Sequence, residues 1–386
     1  MRHQLFIAPL LPIACCLILG MVIGKYIPLD VWLTLSGLAI SIIITLLLYR
    51  FPRCQAIGIW TSTILFGIYL FQHPFPESSY VRHTGERLQD YRQQLLEDYQ
   101  QQGLDENGYA IIAAMTLGDK SALTPETRQL FNVTGAGHVL AISGLHLGII
   151  YMLISLLVVG HRLRIVTQIL TLLALWIFAF LVGMTPSVVR SATMLTVYGL
   201  LSLGYRQKMS VNVLAFTAIV LLIAQPNALF DIGFQMSFLA VLAILLFFPL
   251  FYGLIPLYWL MEHRWVSWLW GMTTLSLSAQ IGVAPVIAFY FHRFSVYFLL
   301  SNFIVIPCAY LILTGALLLL VTHLSFIAIA LTGVTKFMMS ALAAIASLPY
   351  ASIEGLYPSL AQILLVYITI GCIYIVFLKR KKAITV

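Results

Sequence analysis

Charge is what this sequence has least of. Of its 386 residues only 9% are Asp, Glu, Lys or Arg, against 61% apolar residues and a mean hydropathy of +0.99. A water-soluble domain carries roughly 25% charged residues, because its surface must be wetted. The deficit excludes a cytosolic enzyme, a disordered chain and a disulfide scaffold, and leaves a surface that faces lipid. Cysteine is scarce and unpatterned. Cys15, Cys16, Cys54, Cys308 and Cys372 form no CxxC pair and no zinc-spaced cluster with histidine, so they read as small apolar packing residues. There is no phosphate loop either: LGDKS at 117–121 lacks the GxxxxGK[ST] spacing. No period-2 alternation suggests strands, and no fixed repeat is present.

What fills the chain is a series of apolar runs, each about the 20 residues that cross a bilayer as a helix. They lie at 5–26, 31–49, 55–71, 138–159, 165–183, 187–203, 209–224, 232–252, 266–289, 296–321, 326–348 and 359–378. The first follows Arg2 but is too long for a signal peptide and lacks a small-x-small cleavage site, so it reads as a retained span. The predicted fold is all-α, a polytopic integral membrane helical bundle of about 10–12 transmembrane helices. Pro285 and Pro307 are expected to break two spans into half-helices or re-entrant pieces. Three units follow: N-terminal spans at 1–72, an extracytoplasmic amphipathic segment at 73–134, and a membrane domain at 135–386.

The few charges are unevenly placed. Nine of the 13 acids and only five bases fall between His73 and Arg128. With the N-terminus in the cytoplasm, alternation puts twelve Lys and Arg and one acid, Glu262, in the inner connectors. The acidic 73–128 stretch then faces outward, as the positive-inside rule expects, and both termini are cytoplasmic. Within it, Leu88, Tyr91, Leu95 and Tyr99 recur at helical spacing in a glutamine-rich background, which predicts an amphipathic helix lying on the membrane surface. Thr124-Pro125-Glu126 reads as N-cap, first helical proline and first-turn acid, and Gly135 as the helix stop.

The most unusual stretch is GAGHVLAISGLHLG at 135–148. It puts His138, Ser143 and His146 in an apolar run, with Ser143 and His146 three apart on one helical face. Gly144 and Gly148 are expected to admit a close neighbouring backbone. Further polar groups recur inside spans: Arg190 after Thr185-Pro186-Ser187, Asp231 and Gln235 at i, i+4, Gln280, Asn302, and Lys336 near the middle of its run. A charge at the bilayer centre costs roughly 3 kcal/mol on insertion scales, so the set predicts a hydrated or polar interior. For each amide, hydrogen bonding between helices is the alternative.

GAGHVLAISGLHLGII (135–150), TPSVVRSATM (185–194), DIGFQMSFLAVLAI (231–244), SAQIGVAPV (278–286) and SNFIVIPCAYLIL (301–313) occur in this order. Over about residues 110–350 the chain resembles the membrane competence domain of the ComEC family, the DNA-internalisation channel of natural transformation. The resemblance implies a bacterial inner-membrane protein that passes one strand of incoming DNA to the cytoplasm. It implies no catalysis, no cofactor and no resident metal. It associates His138, Ser143, His146, Arg190, Asp231, Gln235, Gln280 and Asn302 with the DNA path; Lys336 joins them on charge and depth alone. It further implies a separate cytoplasmic helicase as the engine and an extracytoplasmic DNA-receptor protein as donor. Monomer and homo-oligomer both stay open. Longer members carry an OB-like module and a metallo-β-lactamase-like domain. Here the polar segment is short and helical and no HxHxDH motif occurs, so a built-in nuclease is not expected. A lining of Ser, Gln, Asn and aromatics with scattered Arg190, Arg293 or Lys336 would suit weak multi-site contact with a moving strand.

Three alternatives remain at this level. Ser143 and His146 could serve an intramembrane hydrolase as nucleophile and base, with Asp231 as orienter. His138, His146 and Asp231 could ligate a metal. The same topology would also suit a small-molecule exporter.

Overall fold

The computed structural model describes residues 8–74, 79–157, 164–203 and 211–384. The chain is almost wholly helical, and a helix lies within each of the twelve apolar runs. In order these are α1 (Leu10–Tyr26), α2 (Val31–Leu47), α3 (Pro52–Gln72), α4 (Ser79–Gln101), α5 (Glu106–Leu117), α6 (Pro125–Val133), α7 (Gly144–Leu157) and α8 (Arg164–Leu181). There follow α9 (Pro186–Leu203), α10 (Val211–Ala224), α11 (Ile232–Tyr252), α12 (Leu257–Glu262), α13 (Arg264–Phe291), α14 (Phe298–Thr322), α15 (Ser325–Ala346) and α16 (Leu360–Ile384). Among the described residues six helices, α3, α11, α13, α14, α15 and α16, are long and apolar enough to cross a membrane. The outward faces are aliphatic. Trp32, Leu47, Ile169, Ile177, Leu365 and Ile368 all stand exposed, as lipid contact requires and water would penalise. This is a multi-pass membrane protein.

Two short strands, β1 (Arg293–Ser295) and β2 (Ser352–Glu354), pair antiparallel and clasp the α13–α14 connection to the α15–α16 connection. They define one end of the bundle. At the opposite, far end lie His323 between α14 and α15, Arg264 opening α13, and the close of α16, whose sequence is basic at 379–382.

Pro249, Pro285 and Pro307 sit inside α11, α13 and α14 without breaking them. The expected half-helices are absent at Pro285 and Pro307. A neighbour attends the weakened ladder at one of them: Tyr367 Oη of α16 donates to the Gly282 carbonyl at 2.7 Å, in the turn before Pro285. Gly282 also lets α11 and α13 close together, since a Cβ there would lie 2.5 Å from the Leu239 carbonyl and 2.6 Å from Ala243 Cβ. α1 and α3 close in the same way at Gly67, where a Cβ would lie 2.6 Å from the Leu17 carbonyl.

The polar 73–134 stretch packs into the bundle along part of its length. α4 forms, but it turns Leu96 and Tyr99 into the bundle and leaves Tyr91 61% exposed. Leu88 lies outside the residues whose side chains are described. α5 is the centre of the largest core cluster: Ile111, Ile112, Ala113, Ala114 and Met115 are fully buried against α14 and α15. α6 starts as the sequence indicates, Thr124 Oγ1 accepting from the Thr127 N–H at 3.2 Å.

Candidate functional site

Five helices bearing the polar motifs pack in a closed cycle: α7 on α9, α9 on α11, α11 on α13, α13 on α14, and α14 back on α7. Four of them, α7, α9, α11 and α14, begin at the clasp end. Gly144 at the start of α7 faces Ser191 Oγ of α9, and Arg190 of α9 reaches Gly233 at the start of α11. Tyr290, near the close of α13, donates to Gln235 Oε1 near the start of α11 at 3.0 Å. Four helix N-termini therefore gather at one rim, where helix dipoles favour negative charge; the Asp231 carboxylate already caps one of them.

The GAGHVLAISGLHLG stretch builds the first of these termini. Gly135 has φ +78°, and a Cβ there would lie 3.0 Å from Ser295 Cβ, so both conformation and space call for glycine. A short 3-10 turn carries His138, whose Nδ1 lies 3.1 Å from the Gly135 carbonyl. His138 is exposed. Ser143 then precedes α7, and His146 occupies the third helical position. His146 Nδ1 accepts the Ser143 N–H at 3.2 Å and stands 3.0 Å from Ser143 Oγ. This is the reciprocal half of a capping box, with histidine where glutamate or glutamine is usual. The three-residue spacing is a cap, with the same imidazole nitrogen engaged by both serine groups. His146 is fully buried, and its Nε2 has no hydrogen-bond partner. The close backbone expected beside these glycines is at neither: Gly144 meets the Ser191 side chain, and Gly148 has open space beside it.

Arg190 and Asp231 meet across α9 and α11, Nη1 to Oδ1, at 3.4 Å. The guanidinium is nearly buried and its Nε is unpartnered, while the Asp231 side chain is half exposed. Asp231 is also the N-cap of α11, accepting the Phe234 N–H at 2.8 Å. Gln235 binds the Leu229 carbonyl through Nε2 at 3.1 Å and Tyr290 through Oε1. Asn302 of α14 donates to Ser276 Oγ of α13 at 3.2 Å, with its Oδ1 unpartnered beside the fully buried Ser301, whose hydroxyl is also unpartnered. Gln280 is half-buried on α13.

Eight of the nine sequence-selected residues thus belong to the ring or its rim. Lys336 does not. It lies on α15, its side chain 65% exposed, and its ammonium sits 3.6 Å from Asp105 Oδ2, just ahead of α5. Among the described residues no cluster of His, Cys, Asp and Glu has the arrangement of a metal site. Ser276, Ser301 and Tyr290 are the polar ring residues that sequence reasoning passed over. Ser276 lies four positions before Gln280, a spacing that could have signalled it. Outside the ring, sequence reasoning also passed over Lys120 and Arg128, both exposed at the clasp end, where Arg128 Nη2 donates to the Lys120 carbonyl and Gly118 abuts Ile142 and Val182. Partial burial, with Arg128 beside it, pushes the Lys120 ammonium below its usual range. A cavity of about 450 Å³ between α14 and α15, lined by Phe303, Pro307, Leu311 and Phe337, lies outside the ring and is apolar.

Comparison with known proteins agrees with the motif order. The model of the competence protein family matches residues 115–380. ComE operon protein 3 of Bacillus subtilis is 33% identical over 212 residues, 53% of this chain and 25% of that protein. An uncharacterized protein of Aquifex aeolicus is 34% identical over 200 residues, 50% of this chain and 43% of its own length. The uncharacterized protein YcaI of Escherichia coli is 24% identical over 230 residues, 56% of this chain and 29% of its own. The matched stretches thus span between a quarter and less than half of these relatives. No solved structure matches the chain. With about two-thirds of its length matched in one block that holds every member of the ring, the chain belongs to the competence protein family.

Proposed function

We propose that this chain is a channel for DNA uptake in competence, passing single-stranded DNA across the inner membrane through the ring of α7, α9, α11, α13 and α14. The supporting observation is the chemistry of that ring. His146 Nε2, Arg190 Nε, Ser301 Oγ and Asn302 Oδ1 are buried without partners on three of its helices. An unpaired buried polar atom costs about 1–3 kcal/mol, so these four call for water or another polar partner among the helices. A single strand offers one phosphate per nucleotide, which hydrocarbon does not solvate. The gathered N-termini, Arg190, Lys120 and Arg128 would attract it at the clasp end, and neutral Ser, Asn and Gln groups would let it slide without lodging.

The protein is read as a conduit without its own nuclease or ATPase. A cytoplasmic helicase would pull the strand, and a DNA-receptor protein outside would present it. With the basic far end toward the cytoplasm, the clasp end faces outward. The capping geometry of Ser143 and His146 supports this over an intramembrane hydrolase, because the nitrogen that meets Ser143 Oγ also accepts the Ser143 N–H.

The test is import of labelled DNA by a transformable host lacking this protein and its paralogues, complemented by variants at equal membrane level. The deletion should abolish import; Arg190→Lys should restore part of it and Arg190→Gln little, since Lys keeps the charge without the planar fork. Normal import by the deletion strain refutes the proposal.

A further inference from the structure

The path of the chain between α4 and α6 carries an inference about how deep the polar segment goes. At one end, Gln102 Nε2 meets His323 Nδ1, at the far end of α14. At the other, Ser295 Oγ donates to the Asn132 carbonyl at 3.3 Å and Gly135 abuts Phe298, at the clasp end. α14 has 25 residues and so runs about 37 Å at ~1.5 Å per residue. Residues 102–135 therefore traverse the full length of a membrane-spanning helix. The chain reaches the far end through α4. Arg92 Nε donates to the Leu117 carbonyl at 2.9 Å, next to Gly118 at the clasp end, and Tyr99 Oη donates to the Ala316 carbonyl at 3.3 Å. The second half of α4 thus descends beside α14.

Its two faces differ in kind. Leu95, Leu96 and Tyr99 turn into the bundle, while Asp90, Gln93, Glu97 and Gln101 recur every three or four residues and stand exposed, with Gln94 and Tyr91 exposed beside them. The adjoining helix α8 instead exposes Ile165, Ile169, Leu173 and Ile177. Hydrocarbon suits the α8 face and is closed to the α4 face, since carboxylates at bilayer depth face protein or water. The border between these helices is an edge between lipid and water.

We propose that the second half of α4 is inserted to membrane depth as one wall of a water-filled cleft, with the turn at Gln102 and Gly103 emerging at the basic far end. The cleft lies beside the ring, since α4 packs on α5, α8 and α14. Its occupant is water, to which the glutamine amides and Glu97 offer hydrogen bonds.

The experiment uses the full chain in its membrane, with its five cysteines replaced and single cysteines returned as Gln94→Cys, Gln101→Cys and Leu173→Cys. A membrane-impermeant maleimide is applied to spheroplasts and to inverted vesicles. Gln101→Cys should react in inverted vesicles, Gln94→Cys should react from water, and Leu173→Cys should stay unlabelled. Reaction of Gln101→Cys in spheroplasts alone overturns the inference, because α4 then lies outside the membrane. Failure of both glutamine positions to react from either side also overturns it, because a second copy of the chain then covers the stripe. Normal DNA import without the protein would instead defeat the conduit reading and leave this topology standing.

Discussion

The role of His146 divides most sharply between a cap and a catalyst. His146→Ala removes the acceptor for the Ser143 N–H, a cap contribution of about 1 kcal/mol. It also empties the volume of a fully buried imidazole, which costs about 3 kcal/mol by analogy with other large-to-Ala changes. Part is recovered, because the unpartnered Nε2 disappears with the ring and returns about 1–2 kcal/mol. The net loss expected is about 2–3 kcal/mol in chemical unfolding of the purified protein in mixed micelles. His146→Gln keeps an acceptor at the third helical position, where capping boxes favour Glu or Gln, and fills most of the space. It should stay within about 1 kcal/mol of the parent and retain DNA import, although glutamine cannot act as a base. A His146→Gln protein that is fully stable yet inert in import would refute the cap, as would a His146→Ala protein as stable as the parent.

Three further outcomes follow from the same contacts. Gly282→Val should force α11 and α13 apart and lower the yield of folded protein in detergent, whereas Gly148→Ala, with open space beside it, should be neutral by size-exclusion profile. Lys336→Gln should change unfolding by less than about 1 kcal/mol and leave DNA import near the parental level, because the Lys336 side chain of the pair is 65% exposed. Tyr367→Phe should cost about 1 kcal/mol in the same unfolding assay by freeing the Gly282 carbonyl ahead of Pro285.

Apolar length is a local property, so twelve runs could be read from composition and each holds a helix. The Thr124 cap was equally legible, because its partner lies three residues away. Ser143 with His146 and Asp231 with Phe234 have that same spacing, yet polar groups inside apolar runs drew the reading toward a shared face and a path. The signal for a cap was present in both, a Ser or Asp just before an apolar helix. Long-range pairing was not legible. Asp105 and Lys336 are 231 positions apart, and the short apolar run AIIAAM of α5 states burial without naming α14 and α15 as its partners. Amphipathicity states that α4 has two faces; which solvent the polar face meets depends on neighbours that periodicity does not contain.

The clasp of β1 and β2 has a mechanical meaning for the ring. Backbone hydrogen bonds join the α13–α14 and α15–α16 corners, reinforced by Val296 N–H to the Ala351 carbonyl at 3.1 Å and Leu356 N–H to the His292 carbonyl at 3.1 Å. The α13–α14 corner cannot drift from the α15–α16 corner there. These four helices part more easily at the opposite brim, like the fingers of a hand held at the knuckles.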